Sequence, residues 1–512
     1  MKDICVGKEF SSSSSLMMDR EFIYYNYDSL RKENDPVYGA AGSDEIVITP
    51  ITYDELNYIL NTDGAHVFLF GGTWSAKTQA VIGRVNAYAR KYGVDTVYNF
   101  DFSCDGCGEA TSIKADLTEQ AGYDGPDKKE ARPCADFNYE YGEIITRNLT
   151  NLGSWVNGGS DSCESITYLD PYMDAVTVPC LEEPFLFLYD RNEPLGPIVY
   201  AVEADFDGDN VPRKTEEQIE KLFTITRERG GIVSYSHEGY MFDAFKQNER
   251  GHAFKTEDAF KKDEQINITP VTLEELRWIL SQKGSFLVLF AGAWCANSQA
   301  CIATINDYAL ANDVRVYMID IRIDGKYPID FWFYPRAREL RLNDPAFSES
   351  YLDLWERCLP GAPVLCRVSH DTPGKLFNPY IEDKEGNLHA VLGVDVPYLL
   401  AVNKDRLSSR GNRMPVLAAL NHDGFELINC SKDFIYFKTN YRKYTAGMYY
   451  VMQAYCDSIG AEVRDITIDR TAPIVEGTPV KNPNGQLDWS YVPNPLKYVR
   501  IGLISVVAII AI

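Results

Sequence analysis

The chain repeats itself. Residues 49–89 and 269–309, laid side by side without a gap at an offset of 220, share 19 identities in 41 positions, among them Trp74 with Trp294, Gln79 with Gln299 and Tyr88 with Tyr308. A match of that length excludes chance, so whatever one copy folds into, the other folds into as well. Thr49-Pro50 opens TPITYDELNYIL, then AHVFLFGG, TWSAKTQAVIGRVNAYARKYG and DTVYNFDF; Thr269-Pro270 opens TPVTLEELRWIL, SFLVLFAGA, WCANSQACIATINDYALAN and VRVYMIDIRIDG. Short apolar runs alternating with segments of helical period predict helix, strand, helix, strand in each copy.

After a long irregular stretch the pattern resumes in both. Pro184 precedes FLFLYD, PIVYAVEA and TEEQIEKLFTITRERGG, while Pro397 precedes YLLAVNKD, PVLAALN and YTAGMYYVMQAYCDSIG. Two paired strands and a helix complete an α/β unit whose mixed sheet carries helices on both faces. The first unit is expected over 45–230 and the second over 267–460. Residues 1–44, with a serine run and no sustained period, read as a poorly ordered leader. The polar stretch 231–266 reads as a linker or docking segment, and 461–496, rich in Pro, Gly and Asn, as an extended stalk.

A net charge of −24 and a pI near 4.7 exclude binding to a nucleic-acid backbone. The 45% of hydrophobic residues and 33 tyrosines mark a globular chain rather than an acidic disordered one. No Ser-His-Asp series, phosphate loop or pair of catalytic acids stands out, six scattered histidines suggest no metal cluster, and no cofactor is expected. The first residues carry charges where a secretory signal needs an apolar run. Residues 497–512 end in IGLISVVAIIAI, twelve residues without a charge. As a helix they reach ~18 Å of the ~30 Å hydrocarbon core, so they read as the start of a membrane segment continuing past Ile512, or as a buried terminal strand or helix.

The candidate chemistry sits between a strand and a helix. Phe286 to Phe290 leads through small residues into Trp294-Cys295 and then into a helical period. A thiol at a helix start meets unpaired N–H groups and the positive end of the helix dipole, which lowers its pKa. With this Trp-Cys-X-X pattern after a buried strand, the chain resembles the thioredoxin-like superfamily over about 45–230 and 265–460. The resemblance implies two thioredoxin-like domains, with Cys295 as the nucleophile toward disulfides and the Asn297 and Ser298 N–H groups beside its thiolate. It also implies a proline against the site, for which Pro397 fits best and Pro363 competes.

Three departures qualify the redox reading. Ser298 stands where the family's resolving cysteine belongs, and Leu289 where it places a buried acid. In the first copy, Trp74, Ser75, Thr78 and Pro184 form a degenerate equivalent without a thiol. Cys301, six residues after Cys295, lies ~9 Å further along a helix and cannot substitute for a resolving thiol. Two functions follow: monothiol thiol–disulfide exchange or capture of protein clients through Cys295, displayed outside the cytoplasm on a membrane anchor; or a non-catalytic tandem binding or scaffold protein at the cell surface. A cytoplasmic location is the alternative.

Two further patterns remain. Cys104-Asp-Gly-Cys107, with Cys134, Cys163 and Cys180, can be a zinc knuckle, a redox pair or structural disulfides, and the spacing of the later cysteines argues against zinc. Asp205, Asp207, Asp209 and Glu216 occupy positions 1, 3, 5 and 12 of a calcium-binding loop, with Asn210 where such a loop needs Gly. The competing account is a polar turn followed by a helix that Thr215 and Gln218 would cap. In protein isolated from its natural compartment, non-reducing peptide mass spectrometry is expected to find at least one disulfide among Cys104, Cys107, Cys134, Cys163 and Cys180. Five thiols would place the chain in the cytosol.

Overall fold

The computed structural model describes residues 15–101, 142–156 except 143, 165–169, 175–179, 181, 184–203, 211–246 except 234, 259–260, 264–293, 296–320, 353–362 except 361, 380–382, 388–390, 397–407, 411–421 except 412, and 441–466. The chain opens with helix α1 (Ser15–Asn26). The first repeat then runs β1 (Ile48–Pro50), α2 (Tyr53–Leu60), β2 (Ala65–Phe70), α3 (Ala76–Lys91), β3 (Val97–Phe100), the hairpin β4 (Ser165–Leu169) and β5 (Ala175–Pro179), β6 (Phe185–Asp190), β7 (Ile198–Glu203) and α4 (Arg213–Arg229). Helix α5 (His237–Ala244) leads into the second repeat. It continues with β8 (Ile268–Pro270), α6 (Leu273–Ser281), β9 (Ser285–Phe290), α7 (Ala296–Asn312), β10 (Val316–Ile319), the hairpin β11 (Tyr380–Glu382) and β12 (Leu388–Ala390), β13 (Tyr398–Asn403), β14 (Val416–Asn421) and α8 (Tyr441–Ser458).

Each repeat builds a five-stranded mixed sheet in the same order, β1-β3-β2-β6-β7 and β8-β10-β9-β13-β14. The first three strands in each order run parallel, and the last two are antiparallel, so Phe70 faces Phe185 in one sheet and Phe290 faces Tyr398 in the other. This is an α/β protein with two sheets. The central strands β2 and β9 are buried at every position. That is why Val67–Phe70 and Phe286–Phe290 read as unbroken apolar runs: a strand covered on both faces needs apolar side chains at odd and even positions alike.

The coverings differ by face. Val67 and Leu69 pack with Val81, Ile82 and Val85 of α3 and Ile219 and Leu222 of α4, while Phe68 and Phe70 pack with Leu56 and Ile59 of α2. In the second repeat Leu287 and Leu289 meet Ile302 and Ile305 of α7 and Met452 of α8, and Val288 and Phe290 meet Leu276 and Ile279 of α6. Helices α2 and α6 each begin with a capping box, Thr52 with Glu55 and Thr272 with Glu275. Such a cap contributes ~1 kcal/mol of helix stability.

The expectation of a disordered leader fails from Ser15 onward. Met18, Phe22, Ile23 and Tyr27 are buried, because an amphipathic helix packs along β1 and carries on to the second repeat, where the Phe22 and Trp278 rings meet edge to face at 6.0 Å. The serine run hid this helix, whose apolar positions begin only after it. Nor is 231–266 only a linker: Tyr240, Met241, Phe245 and Phe260 enter the second repeat's core, and Tyr58 of the first repeat donates to Asp243 at 2.6 Å. The docking alternative describes it. Residues 461–466 do not fit the expected stalk, since Ala461, Val463 and Ile466 lie against the core and Tyr308 donates to Asp465 at 2.6 Å; 467–496 lie outside the described residues.

If α1 is part of the core, Phe22→Ala should cost about 3 kcal/mol through the lost transfer energy and the cavity left behind. A urea titration of the full chain checks this. An unchanged midpoint would return residues 15–26 to the status of a leader.

Candidate functional site

In both repeats the central strand ends in small residues and hands the chain to the longest helix of its unit before the insertion. In the first, Gly71 N–H donates to Phe100 O at 3.0 Å and the loop 71–75 lies over the ends of β2 and β3. Ser75 is the N-cap of α3, its Oγ accepting the Thr78 N–H at 3.2 Å. Ser, with a short acceptor oxygen, is among the best residues for that place, because the first N–H groups of a helix have no partner within it. Trp74 Nε1 donates to Asp101 at 2.9 Å, and a Cβ at Gly72 would fall 2.1 Å from that carboxylate, so only glycine lets the two close over the loop.

Pro184 is buried and precedes Phe185, the partner of Phe70. The register therefore sets Pro184 beside Gly71, where an added Cβ would come 2.4 Å from Thr78 Oγ1. Trp74, Ser75, Thr78 and Pro184, which the sequence groups together, do come together. The site is closed from one side by the segment after α1. Gln79 Nε2 donates to Thr73 O at 2.8 Å and to Asn26 O at 3.1 Å, and its Oε1 accepts the Asp28 N–H at 2.9 Å. Buried Asn99 holds the strand ends, donating to Leu69 O and Gly71 O at 3.0 and 2.7 Å and accepting from Tyr27 at 3.1 Å. Burial pushes the Tyr27 hydroxyl well above the ordinary tyrosine range, so it stays a donor.

Sequence reading missed these supports. The polar Asn99 in an apolar strand was their one visible sign.

The second repeat keeps the frame and changes its contents. Ala291 N–H donates to Ile319 O at 3.0 Å, as Gly71 does to Phe100, and by strand register Met318 stands where the first repeat has Asn99. Helix α7 begins at Ala296. Trp294 and Cys295 lie outside the described residues. Ser298 is fully buried, with its Oγ 3.4 Å from the Gly292 N–H it accepts. Pro397 is buried and precedes Tyr398, the partner of Phe290, which sets it beside Ala291 just as Pro184 sits beside Gly71. Leu289 points into the core formed with α7 and α8, and buried Cys301 sits with its Sγ 3.5 Å from Ser298 O. Pro363 lies outside the described residues.

The calcium-loop pattern loses one ligand on inspection. Tyr88 donates to Glu216 Oε1 at 3.0 Å, Tyr38 donates to the same oxygen, and Arg84 lies 3.7 Å from Oε2. That carboxylate joins α4 to α3, while Asp205, Asp207 and Asp209 lie outside the described residues. The competing cap also fails: α4 starts at Arg213 with Pro212 at its N-cap and no side-chain cap, and Thr215 is buried inside the first turn. Cys104, Cys107, Cys134, Cys163 and Cys180, and the apolar residues 497–512, are outside the described residues as well. Among the described residues no group of three or more His, Cys, Asp or Glu is arranged to hold a metal ion, and no helix is long and apolar enough to cross a membrane.

Compared with known proteins, the chain matches no family model and no curated sequence.

Ser75→Ala should cost about 1 kcal/mol by leaving the Thr78 N–H without its cap. Urea midpoints of the two proteins check it, and equal midpoints would show that water replaces the cap without loss.

Proposed function

We propose that the chain is a tandem thioredoxin-like protein whose second repeat performs monothiol exchange with, or capture of, protein disulfides through Cys295. The observation that carries this reading is the start of α7. With the helix beginning at Ala296, position 295 corresponds to Ser75, whose side chain accepts the N–H three residues on. A sulfur one residue before a helix start would meet the helix's first free N–H groups and the positive end of its dipole, both of which favour the thiolate. Pro397, seated beside Ala291, supplies one wall of a groove for an extended client strand.

The chemistry is one exchange. The Cys295 thiolate attacks one sulfur of a client disulfide, a new S–S bond forms, and the second client sulfur leaves as thiolate. Release needs a further thiol from outside, because Ser298 carries no sulfur and its hydroxyl is buried against Gly292.

A second reading, a non-catalytic binding protein at the cell surface, is favoured by the first repeat. There the equivalent position is Ser75, and Gln79 ties the loop to Asn26 and Asp28. On either reading the first repeat performs no thiol chemistry at this site.

Peptide-resolved iodoacetamide alkylation of Cys295 across pH separates the two. The exchange reading expects a pKa below the ~8.5 of an unperturbed cysteine. It also expects the Ser298→Cys variant to turn over disulfides in an insulin-reduction assay, where the parent chain stops at a mixed disulfide. A normal or raised pKa together with an inert variant would leave the binding protein standing.

A further inference from the structure

The two repeats meet at a buried cluster of acids around one histidine, and its symmetry is broken in an informative way. Helices α1 and α5 precede their repeats equivalently. Asp19, Phe22, Ile23 and Tyr27 are buried along one, and His237, Tyr240, Met241 and Phe245 along the other, at the same spacing. Each packs on the first strand of its own repeat and reaches the capped helix of the other, α1 touching α6 and α5 touching α2. Asp19 and His237 are thus counterparts, as are the capping-box residues Glu55 and Glu275.

His237 Nε2 donates to Asp19 Oδ2 at 2.9 Å, and Nδ1 donates to Glu55 Oε1, which also accepts from Tyr235. With a carboxylate oxygen at each ring nitrogen, the imidazolium satisfies both. The two acids lie on opposite sides of the ring, so the donors do not converge on a single point as metal ligands would.

The counterpart pairing is an acid against an acid. Glu275 Oε2 accepts the Thr272 N–H at 2.8 Å, but Glu275 Oε1 and Asp19 Oδ1 are both buried without a donor. Asp19 is the strongest charge acting on Glu275. The surrounding charges leave the deficit in place: Asp19, Glu55 and Glu275 face His237 and Arg315, whose Nη1 donates to Thr269 at 2.8 Å, and half-exposed Glu238 also acts on Arg315. Tyr235, Tyr240 and Tyr317 line the remainder, and burial holds the Tyr235 hydroxyl well above the ordinary tyrosine range. Three buried acids against two cations leave one negative charge over, and two orphan acceptors need one donor. A single proton answers both requirements.

We propose that Asp19 Oδ1 and Glu275 Oε1 share one proton, and that this proton, with the charge on His237, latches the first repeat to the second, so that the seam between α1 and α6 loosens as the proton leaves. Burial, and then Asp19's charge, push the Glu275 carboxyl well above the ordinary glutamate range, and burial raises Asp19. The two acids beside His237 hold it well above the ordinary histidine range against the opposing effect of burial. All three groups bind protons more tightly folded than unfolded. Their stabilisation is therefore complete at low pH and is lost as pH rises, from about 4 upward for the acids and from about 6.5 upward for His237.

The test uses the full chain and two isosteres. Glu275→Gln supplies an N–H donor in place of the proton and keeps an oxygen for Thr272, and Asp19→Asn does the same from the other side. Folding constants come from urea titration, and amide protection of α1 and α6 from hydrogen exchange, between about pH 5 and about pH 6.5, below the range in which His237 contributes. His66, whose burial lowers it to about 4, contributes an opposite slope there, but equally in every variant. The expected result is that the wild-type constant, divided by that of either variant, falls about tenfold per pH unit, the slope of one proton. The protection lost is expected in α1 and α6. A ratio independent of pH, or variants that fail to fold although their amides provide the missing donor, would overturn the latch.

Discussion

Everything in this molecule hangs on how the capped helices α2 and α6 are buried. Each is fixed by a glutamate folded back onto its own N-cap, and in most proteins such a glutamate faces water. Here the helix of the other repeat lies over it, so Glu55 and Glu275 are desolvated and their remaining oxygens need partners. Glu55 finds His237 and Tyr235. Glu275 finds Asp19. The duplication supplied two equivalent places and mutation filled them unequally, which gives the seam one ion pair and one acid pair.

The same divergence runs through the two strand-to-helix sites. In the first, glycines admit Asp101 and Trp74, an asparagine pins the strand ends, and a glutamine binds the loop to the segment after α1. Every polar group named there is spent on holding the loop. The second keeps the proline beside the strand end and a serine buried beneath the loop, but has Met318 in place of the asparagine.

Much of the frame was legible in the residues. The repeat fixed that there are two similar units, and the unbroken apolar runs Phe286–Phe290 and Val67–Phe70 announced strands covered on both faces. A proline preceding an apolar run in each copy marked β6 and β13 as counterparts, but their pairing with β2 and β9, Phe70 with Phe185 and Phe290 with Tyr398, is seen only in the structure. What was illegible is tertiary. Helix α1 was hidden because a serine run lowers the apparent periodicity just before it, and α5 because its buried face includes a histidine. His237 reads as polar until Glu55, 182 residues away in the chain, is known to lie on it. The Thr215 cap failed because Pro212 already starts the helix there, its fixed φ suiting the entry. Residues 231–246 could have been recognised from the sequence by comparing 237, 240, 241 and 245 with 19, 22, 23 and 27.

The claim on which the structural account turns is that the seam is closed by a histidine carrying both of its protons between Asp19 and Glu55. Nitrogen-15 NMR of selectively labelled histidine in the full chain, with His237→Gln to assign the resonance, reads this directly. The account expects both His237 ring nitrogens to remain protonated well above the ~6.5 at which an ordinary histidine loses its proton. A His237 that titrates at or below that value would contradict it.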